Sequence, residues 1–314
     1  MVLEQFRLCG VCNSVLGKRY HDQENEQENG HSANTLSPRI LPTCGEGFEE
    51  SWVGQLSAPP IRGATVENVA PLSDAPIALF LDVDGTLLDL AERPDDVVTP
   101  AGLVAALVGA ERRLAGALAL ISGREIDDLD RLFRPLRFRA SGVHGAEARF
   151  EPGGPVTQAP AAVELPLSLW KALTREVAEF PGAFAENKRF SFVVHYRLAP
   201  AAERPLRQAV TRLIGFSPVA VEVMDARCAI EIKPSGHDKG RAIAAFLAHP
   251  AFRGRTPVFV GDDTTDESGF AVVASRGGAA NSVGRPRRGA TGLFADPRAV
   301  RDWLAEFGNH GEAA

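Results

Sequence analysis

Between residues 76 and 307, short apolar runs alternate with longer stretches whose apolar residues recur at helical spacing. Ile77-Ala78-Leu79-Phe80-Leu81 is closed by Asp82-Val83-Asp84-Gly85-Thr86, and an apolar run of that length before a turn signal predicts a buried strand. Thr99-Pro100 predicts a helix start with Thr99 as N-cap and Pro100 at the first helical position, followed by Leu103, Leu107 and Leu114 on one face. Residues 117–121 form a second apolar run, which ends at Ser122-Gly123-Arg124 before an acidic helix start (Glu125, Asp127, Asp128). A third strand is expected over 138–143, ending at His144-Gly145.

The pattern then changes. Glu151-Pro152-Gly153-Gly154-Pro155 reads as a linker. Beyond it the order is helix (168–180), strand (190–197), helix (203–214) and two strands (220–223 and 229–233). The first of these strands mixes apolar and polar residues, as a sheet covered on one side would. Pro234-Ser235-Gly236 is a second linker, and Asp238-Lys239-Gly240 opens a helix carrying Ile243, Phe246 and Leu247. The apolar run 257–260 ends at Gly261-Asp262-Asp263-Thr264-Thr265-Asp266-Glu267, with a helix after it through Phe270 and Val273. Asn281-Ser282-Val283 reads as a short strand or loop, and Asp296-Pro297 caps a last helix bearing Val300, Trp303, Leu304 and Phe307. The expected fold class is α/β: a doubly wound parallel-sheet core (75–150 and 235–310) with an inserted α+β cap domain (151–234).

Residues 1–74 stand apart. The segment 18–35 is polar with no apolar period, and this leader is expected to remain disordered. It contains the C-x-x-C pair Cys9 and Cys12, but a tetrahedral zinc site needs four ligands and only Cys44 and His21 or His31 are near in sequence. The pair reads as incidental.

The composition, 45% hydrophobic and 24% charged, is that of a soluble globular protein, and a net charge of −6 gives no basic face for nucleic acid. No run reaches the ~18 apolar residues of a membrane span. Four cysteines in 314 residues do not make a disulfide scaffold, and no secretory signal is seen near Arg7 and Lys18, so a cytoplasmic setting is expected.

Three apolar strands thus end in residues of chemical use: Asp82 and Asp84, Ser122, and Asp262, with Lys239 at a helix start. In a doubly wound sheet such ends lie along one edge. Carboxylates gathered there repel unless a cation sits among them, and hard oxygen donors without His or Cys favour Mg²⁺ over Zn²⁺. A hydroxyl facing a helix N-terminus suits a phosphate.

These motifs resemble the four motifs of haloacid dehalogenase (HAD)-superfamily phosphatases. With Ser122-Gly123-Arg124, Val143-His144-Gly145, Glu186-Asn187-Lys188, His195-Tyr196-Arg197, Glu231-Ile232-Lys233-Pro234 and the Gly-Asp-Asp-x-Thr-Asp-Glu string, the chain resembles more narrowly the trehalose-6-phosphate phosphatase family over about 76–307. Ser268-Gly269-Phe270 departs from the pattern, where the family has a further acidic residue. The resemblance implies that Asp82 attacks phosphorus, that Asp84 serves as general acid and base, and that Mg²⁺ is held by Asp82, the Asp84 backbone carbonyl and Asp262. It implies that Lys239, Ser122 and Thr86 hold phosphoryl oxygens, and that Asp263 and Asp266 orient the metal shell, their relative weight being left open. In a mobile cap hinged near 151–155 and 234–237, Glu186, Lys188 and Glu231 would meet the sugar hydroxyls. His195 and Arg197 either touch substrate or pack the cap, and His144 either touches substrate or is structural. The substrate implied is trehalose 6-phosphate. The alternatives are another sugar phosphate, such as sucrose or glucosylglycerol phosphate, and a catalytically inactive regulatory domain. An association with trehalose-6-phosphate synthase is the partner the resemblance suggests.

Overall fold

The computed structural model describes residues 66–67, 69, 76–91, 96–160, 162–226 and 228–309. Cys9, Cys12 and most of the expected leader lie outside the described residues. The exceptions are β1 (Val66–Glu67), which pairs with the core sheet, and Val69, which packs against the core, so the core takes in residues assigned above to the leader.

The first half of the core is β2 (Ile77–Leu81), α1 (Leu103–Arg113), β3 (Leu118–Ile121), α2 (Ile126–Leu132), β4 (Ala140–Gly142), β5 (Glu147–Arg149) and β6 (Thr157–Gln158). The insert follows as α3 (Leu167–Ala178), β7 (Phe184–Asn187), β8 (Phe192–His195), α4 (Glu203–Ile214), β9 (Val221–Ala226) and β10 (Ala229–Pro234). The chain then returns to the core as α5 (Lys239–Ala248), β11 (Thr256–Gly261), α6 (Glu267–Ser275), β12 (Ala279–Val283), β13 (Gly292–Phe294) and α7 (Pro297–Asn309).

Among the described residues the core sheet has the order β1-β13-β12-β11-β2-β3-β4-β5-β6. From β13 to β4 the strands run parallel, and β1, β5 and β6 extend the edges antiparallel. Parallel strands are covered on both faces, which is why β2, β3 and β11 read as unbroken apolar runs. Residues 77–81 and 118–121 are buried throughout. Helix α1 packs on α7 and α5 on α6, flanking the sheet. Each fully buried Leu or Phe of this core, such as Leu79, Phe80 and Phe259, contributes about 1.5–3 kcal/mol.

The chain order reverses between β2 and β11. The first half builds outward from β2 through β3 and β4, and the second from β11 through β12 and β13. Ligands in open α/β sheets bind at such a switch point, at the carboxyl ends of the strands. Asp82 and Asp262 follow the two strands that meet there.

The insert forms a separate antiparallel sheet, β7-β8-β10-β9. Directly paired residues share a face. The pairs Phe184 with His195, Glu186 with Val193, and Glu231 with both Val193 and Met224 define one face. The opposite face carries Phe192, Val194, Ile230 and Ile232, buried against Leu169, Leu173 and Val177 of α3 and Leu206 and Val210 of α4.

Local differences have identifiable causes. Helix α1 starts at Leu103 behind Gly102, not at Thr99; the Thr99 hydroxyl donates to the Leu132 carbonyl at 2.8 Å, so a tertiary partner took the predicted cap. The 151–155 segment is the turn joining β5 to β6, so residues 157–158 pair with the core sheet rather than the insert. Strand β7 was not predicted, because Phe-Ala-Glu-Asn on a sheet edge shows no clean alternation. The caps at Asp238 and Asp296 are present, accepting from the backbone N–H groups of Arg241 and Ala299, both at 2.8 Å.

Candidate active site

Three adjacent strands, β11, β2 and β3, deliver Asp262, Asp82 and Ser122 to one edge of the sheet. The Asp82 carboxylate is buried. Its Oδ1 accepts from Lys239 Nζ at 2.7 Å, and Thr86 Oγ1 lies 3.4 Å from Oδ2. Lys239, presented by the first turn of α5, also donates to Asp266 Oδ1 at 2.7 Å. Ligand oxygens of Asp82, Asp262 and Asp266 lie within 4.8 Å of one another. Gly85 makes this approach possible: its φ is +77°, and a Cβ there would stand 2.2 Å from Asp262 Oδ2.

The electrostatics follow from the crowding. Burial, then the neighbouring Asp266 and Asp262, push Asp82 well above the usual carboxylate range, while Lys239 pulls it down. Burial and Asp266 raise Asp262 to about 6. Burial works against the charged form of Lys239, but Asp266 and Asp82 outweigh it and raise its pKa above the ordinary lysine value. A cation among these oxygens removes the mutual repulsion, so the donor set fits a hard divalent ion.

The other expected residues are placed as follows. Asp266 is fully buried, with Oδ1 on Lys239 and Oδ2 accepting from the Asp263 backbone N–H at 2.9 Å. Asp263 turns outward, where Oδ1 accepts from the Thr264 N–H at 2.7 Å and from Arg287 Nη2 at 3.0 Å. Of the pair, Asp266 therefore stands inside the acidic cluster and Asp263 beside it. Ser122 is buried, its Oγ accepting from the Arg124 N–H at 3.1 Å. At the departure from the family pattern, Ser268 Oγ accepts from the Gly240 N–H at 3.1 Å, next to Lys239.

Asp84 is engaged by a residue that had no role in the sequence reading. Arg124 grips its carboxylate with two bonds, Nε to Oδ2 at 2.6 Å and Nη2 to Oδ1 at 2.7 Å. The Ser-Gly-Arg string was the available signal, but only its serine was read chemically. Arg287 was also missed; besides Asp263 it holds the Asp262 carbonyl at 2.8 Å, and its signal was the basic stretch Arg285-Pro286-Arg287-Arg288.

A cavity of about 1200 Å³ joins this edge to the polar face of the insert. Lys188, His195, Arg197 and Glu231 line it opposite Asp82, Lys239 and Asp262. Glu186 Oε2 bonds His195 Nε2 at 2.9 Å and lies 4.0 Å from Lys188 through Oε1. His144 comes from the core, in a turn with φ of +53°, and its Nε2 is 3.3 Å from Glu231 Oε2 of the insert. Burial works against an ionised Glu231, but His144 and then Lys188 overcome it and pull its pKa down to about 2.

That depression has a sign. A carboxylate with a lowered native pKa contributes stability that is present above about 4.5 and lost as pH falls toward about 2, here roughly 3 kcal/mol at most. Glu231→Gln removes this contribution. In urea unfolding between pH 6 and 3, the stability difference between wild type and variant should shrink as pH falls; a constant difference would contradict the assignment.

A parallel sheet with acidic residues at its switch point, facing an inserted α+β sheet, defines a HAD-like fold. A Bacteroides thetaiotaomicron phosphatase of the HAD superfamily shares the fold at TM-score 0.52, with 16% identity over 77% of this chain and 98% of its own. A trehalose-6-phosphate phosphatase related protein shares it at TM-score 0.63, with 24% identity over 75% of this chain and 98% of its own. The family model for trehalose-phosphatase matches residues 80–289. The chain is 41% identical to the Escherichia coli K12 trehalose-6-phosphate phosphatase, over 74% of this chain and 89% of that one. It is 40% identical to a probable trehalose-phosphate phosphatase of Sinorhizobium fredii, over 71% and 83%. The protein belongs to the trehalose-phosphatase family. No helix among the described residues is long and apolar enough to cross a membrane.

Proposed function

We propose that the chain hydrolyses trehalose 6-phosphate to trehalose and phosphate, with Mg²⁺, through an aspartyl-phosphate on Asp82. The observation that carries this is the buried Asp82–Lys239–Asp266 cluster with Asp262, facing the polar sheet of the insert across one cavity. Magnesium, held by Asp82, the Asp84 carbonyl and Asp262, would neutralise charge on the phosphoryl oxygens.

The rest is the work of side chains. Lys239 holds the Asp82 carboxylate in place for attack and offers charge to the phosphoryl group. The Asp82 oxygen forms the bond to phosphorus as the bond to the sugar oxygen breaks. Asp84 gives its proton to that oxygen, then takes one from the water that attacks the aspartyl-phosphate, which returns Asp82 and releases phosphate. Arg124 holds Asp84 by two bonds, and Asp84 takes up its acid role on leaving that fork. Ser122 and Thr86, both buried at the strand ends, supply hydroxyls to the phosphate. Asp266 orients Lys239, and Asp263, paired with Arg287, holds the loop that carries Asp262. Lys188 and Glu231 meet sugar hydroxyls from the insert, with Arg197 and His144 lining the same space, and Glu186 stands behind them, bonded to His195 at 2.9 Å and 4.0 Å from Lys188.

A phosphate-release screen over trehalose, sucrose and glucosylglycerol phosphates, with and without Mg²⁺, tests the reading. Trehalose 6-phosphate is expected to be turned over best, chelation to stop release and Mg²⁺ to restore it. Equal rates across the panel would refute the substrate, and activity surviving chelation would refute the metal. The regulatory alternative has a structural counterpart in the C-terminal domain of a Candida albicans trehalose synthase regulatory protein, at TM-score 0.58 and 15% identity over 77% of this chain and 100% of that one. The paired Asp82 and Asp84 favour catalysis over it. Association with a trehalose-6-phosphate synthase is part of the proposal, and co-sedimentation of the two proteins tests it.

A further inference from the structure

The insert presents an aromatic ring to the cavity that none of the motifs includes. Phe184, the first residue of β7, is 41% exposed, a large value for a phenylalanine. The ring lines the same cavity as Asp82 and Lys239. Its position follows from register: Phe184 pairs with His195, and two residues on, Glu186 pairs with Val193, which pairs in turn with Glu231. Phe184, Glu186, His195 and Glu231 therefore share the face turned toward the catalytic edge.

The ring is also braced. The His195 imidazole lies against it nearly parallel, with centroids 4.4 Å apart and 16° between planes. His195 is held in turn by Glu186 at 2.9 Å. One face of the phenyl ring is thus covered by a group that is itself anchored, while the residue stays 41% exposed and lines the cavity. A flat apolar surface beside two carboxylates matches a pyranose ring. The axial C–H groups of such a sugar form an apolar face, and its equatorial hydroxyls point outward to hydrogen-bond acceptors. Pockets that combine apolar area with a few placed polar groups are the usual form of small-ligand sites.

We propose that Phe184, braced by His195, is the stacking platform for a glucose ring of the substrate and so determines specificity for the sugar. This rests on the proposed sugar-phosphate reading. It assigns His195 a bracing role, in place of the open choice between substrate contact and packing.

Phe184→Ala should raise KM for trehalose 6-phosphate roughly tenfold while changing kcat by less than about twofold, since stacking binds substrate and transition state alike. The same variant should hydrolyse p-nitrophenyl phosphate, which has no sugar, as the wild type does. Phe184→Tyr should restore KM, and Phe184→Leu, apolar but not planar, should not. An unchanged KM in Phe184→Ala, equal losses on both substrates, or full restoration by leucine would overturn the platform. If the wild type fails on trehalose 6-phosphate, the proposed function falls separately, and the same variants are then compared on whichever sugar phosphate the screen selects.

Discussion

Asp82→Asn is expected to leave a folded protein with kcat lowered by roughly 10⁴-fold or more, because the amide cannot form the aspartyl-phosphate. The fold should survive for a reason visible in the site. Burial and two neighbouring carboxylates raise the Asp82 pKa above its unfolded value, despite Lys239. A carboxyl raised in this way loses stability as pH climbs through its native pKa, so an uncharged side chain at this position removes a penalty. Lys239 keeps Asp266 as a partner at 2.7 Å. Phosphate release with trehalose 6-phosphate measures the first effect, and urea unfolding of the metal-free protein at pH 7 measures the second. Near-normal turnover would remove Asp82 as nucleophile, and a collapsed urea midpoint would show that its charge supports the fold.

Lys239→Met is expected to harm both activity and stability. The ammonium is buried between Asp82 and Asp266, and its loss leaves two buried carboxylates with no cation between them. Removing one partner from a buried ion pair costs about 3–5 kcal/mol. Turnover should fall by roughly 10³-fold, in the range seen when a charge-stabilising donor is lost. The pH dependence distinguishes this cause from simple misfit of the new side chain. Without Lys239 to pull it down, the native pKa of Asp82 climbs further, so the stability lost should be greater at pH 8 than at pH 5.5, where protonation relieves the repulsion. Urea unfolding of the metal-free variant at the two pH values reads this directly. A loss of equal size at both would point to packing instead of charge.

The catalytic half of the fold was legible for a physical reason. Strands buried on both faces carry no polar residues inside the run, so 77–81 and 257–260 stand out and their ends mark the site. The insert was less legible. Its helix over 203–214 was read correctly, since an amphipathic stripe survives one-sided packing. Strand β7 was not, because each of its residues answers to a different neighbour: Phe184 to His195, Glu186 to His195 and Lys188, and Ala185 to the helices behind. The platform residue was lost with the strand.

The acidic string after β11 shows the same division. Its composition announces a charged site, yet it does not say which carboxylate points inward. The turn at 264–266 decides that, because Asp263 caps its start and is drawn out to Arg287, while Asp266 faces Lys239. The pairing of Asp84 with Arg124 spans 40 positions of sequence and two strands. No spacing rule reaches that far.

By itself, then, the sequence determined the parallel core, the strand ends that carry Asp82, Ser122 and Asp262, and the lysine that opens α5, since burial and capping are local demands written into residue type. The tertiary structure alone decided which groups meet. It placed Asp266 within 4.8 Å of Asp82 and Asp262, gave Asp84 to Arg124, and set Phe184 with Glu231 on the face opposite the nucleophile. Those contacts depend on strand order and register, and a linear pattern holds no record of either until the chain has folded.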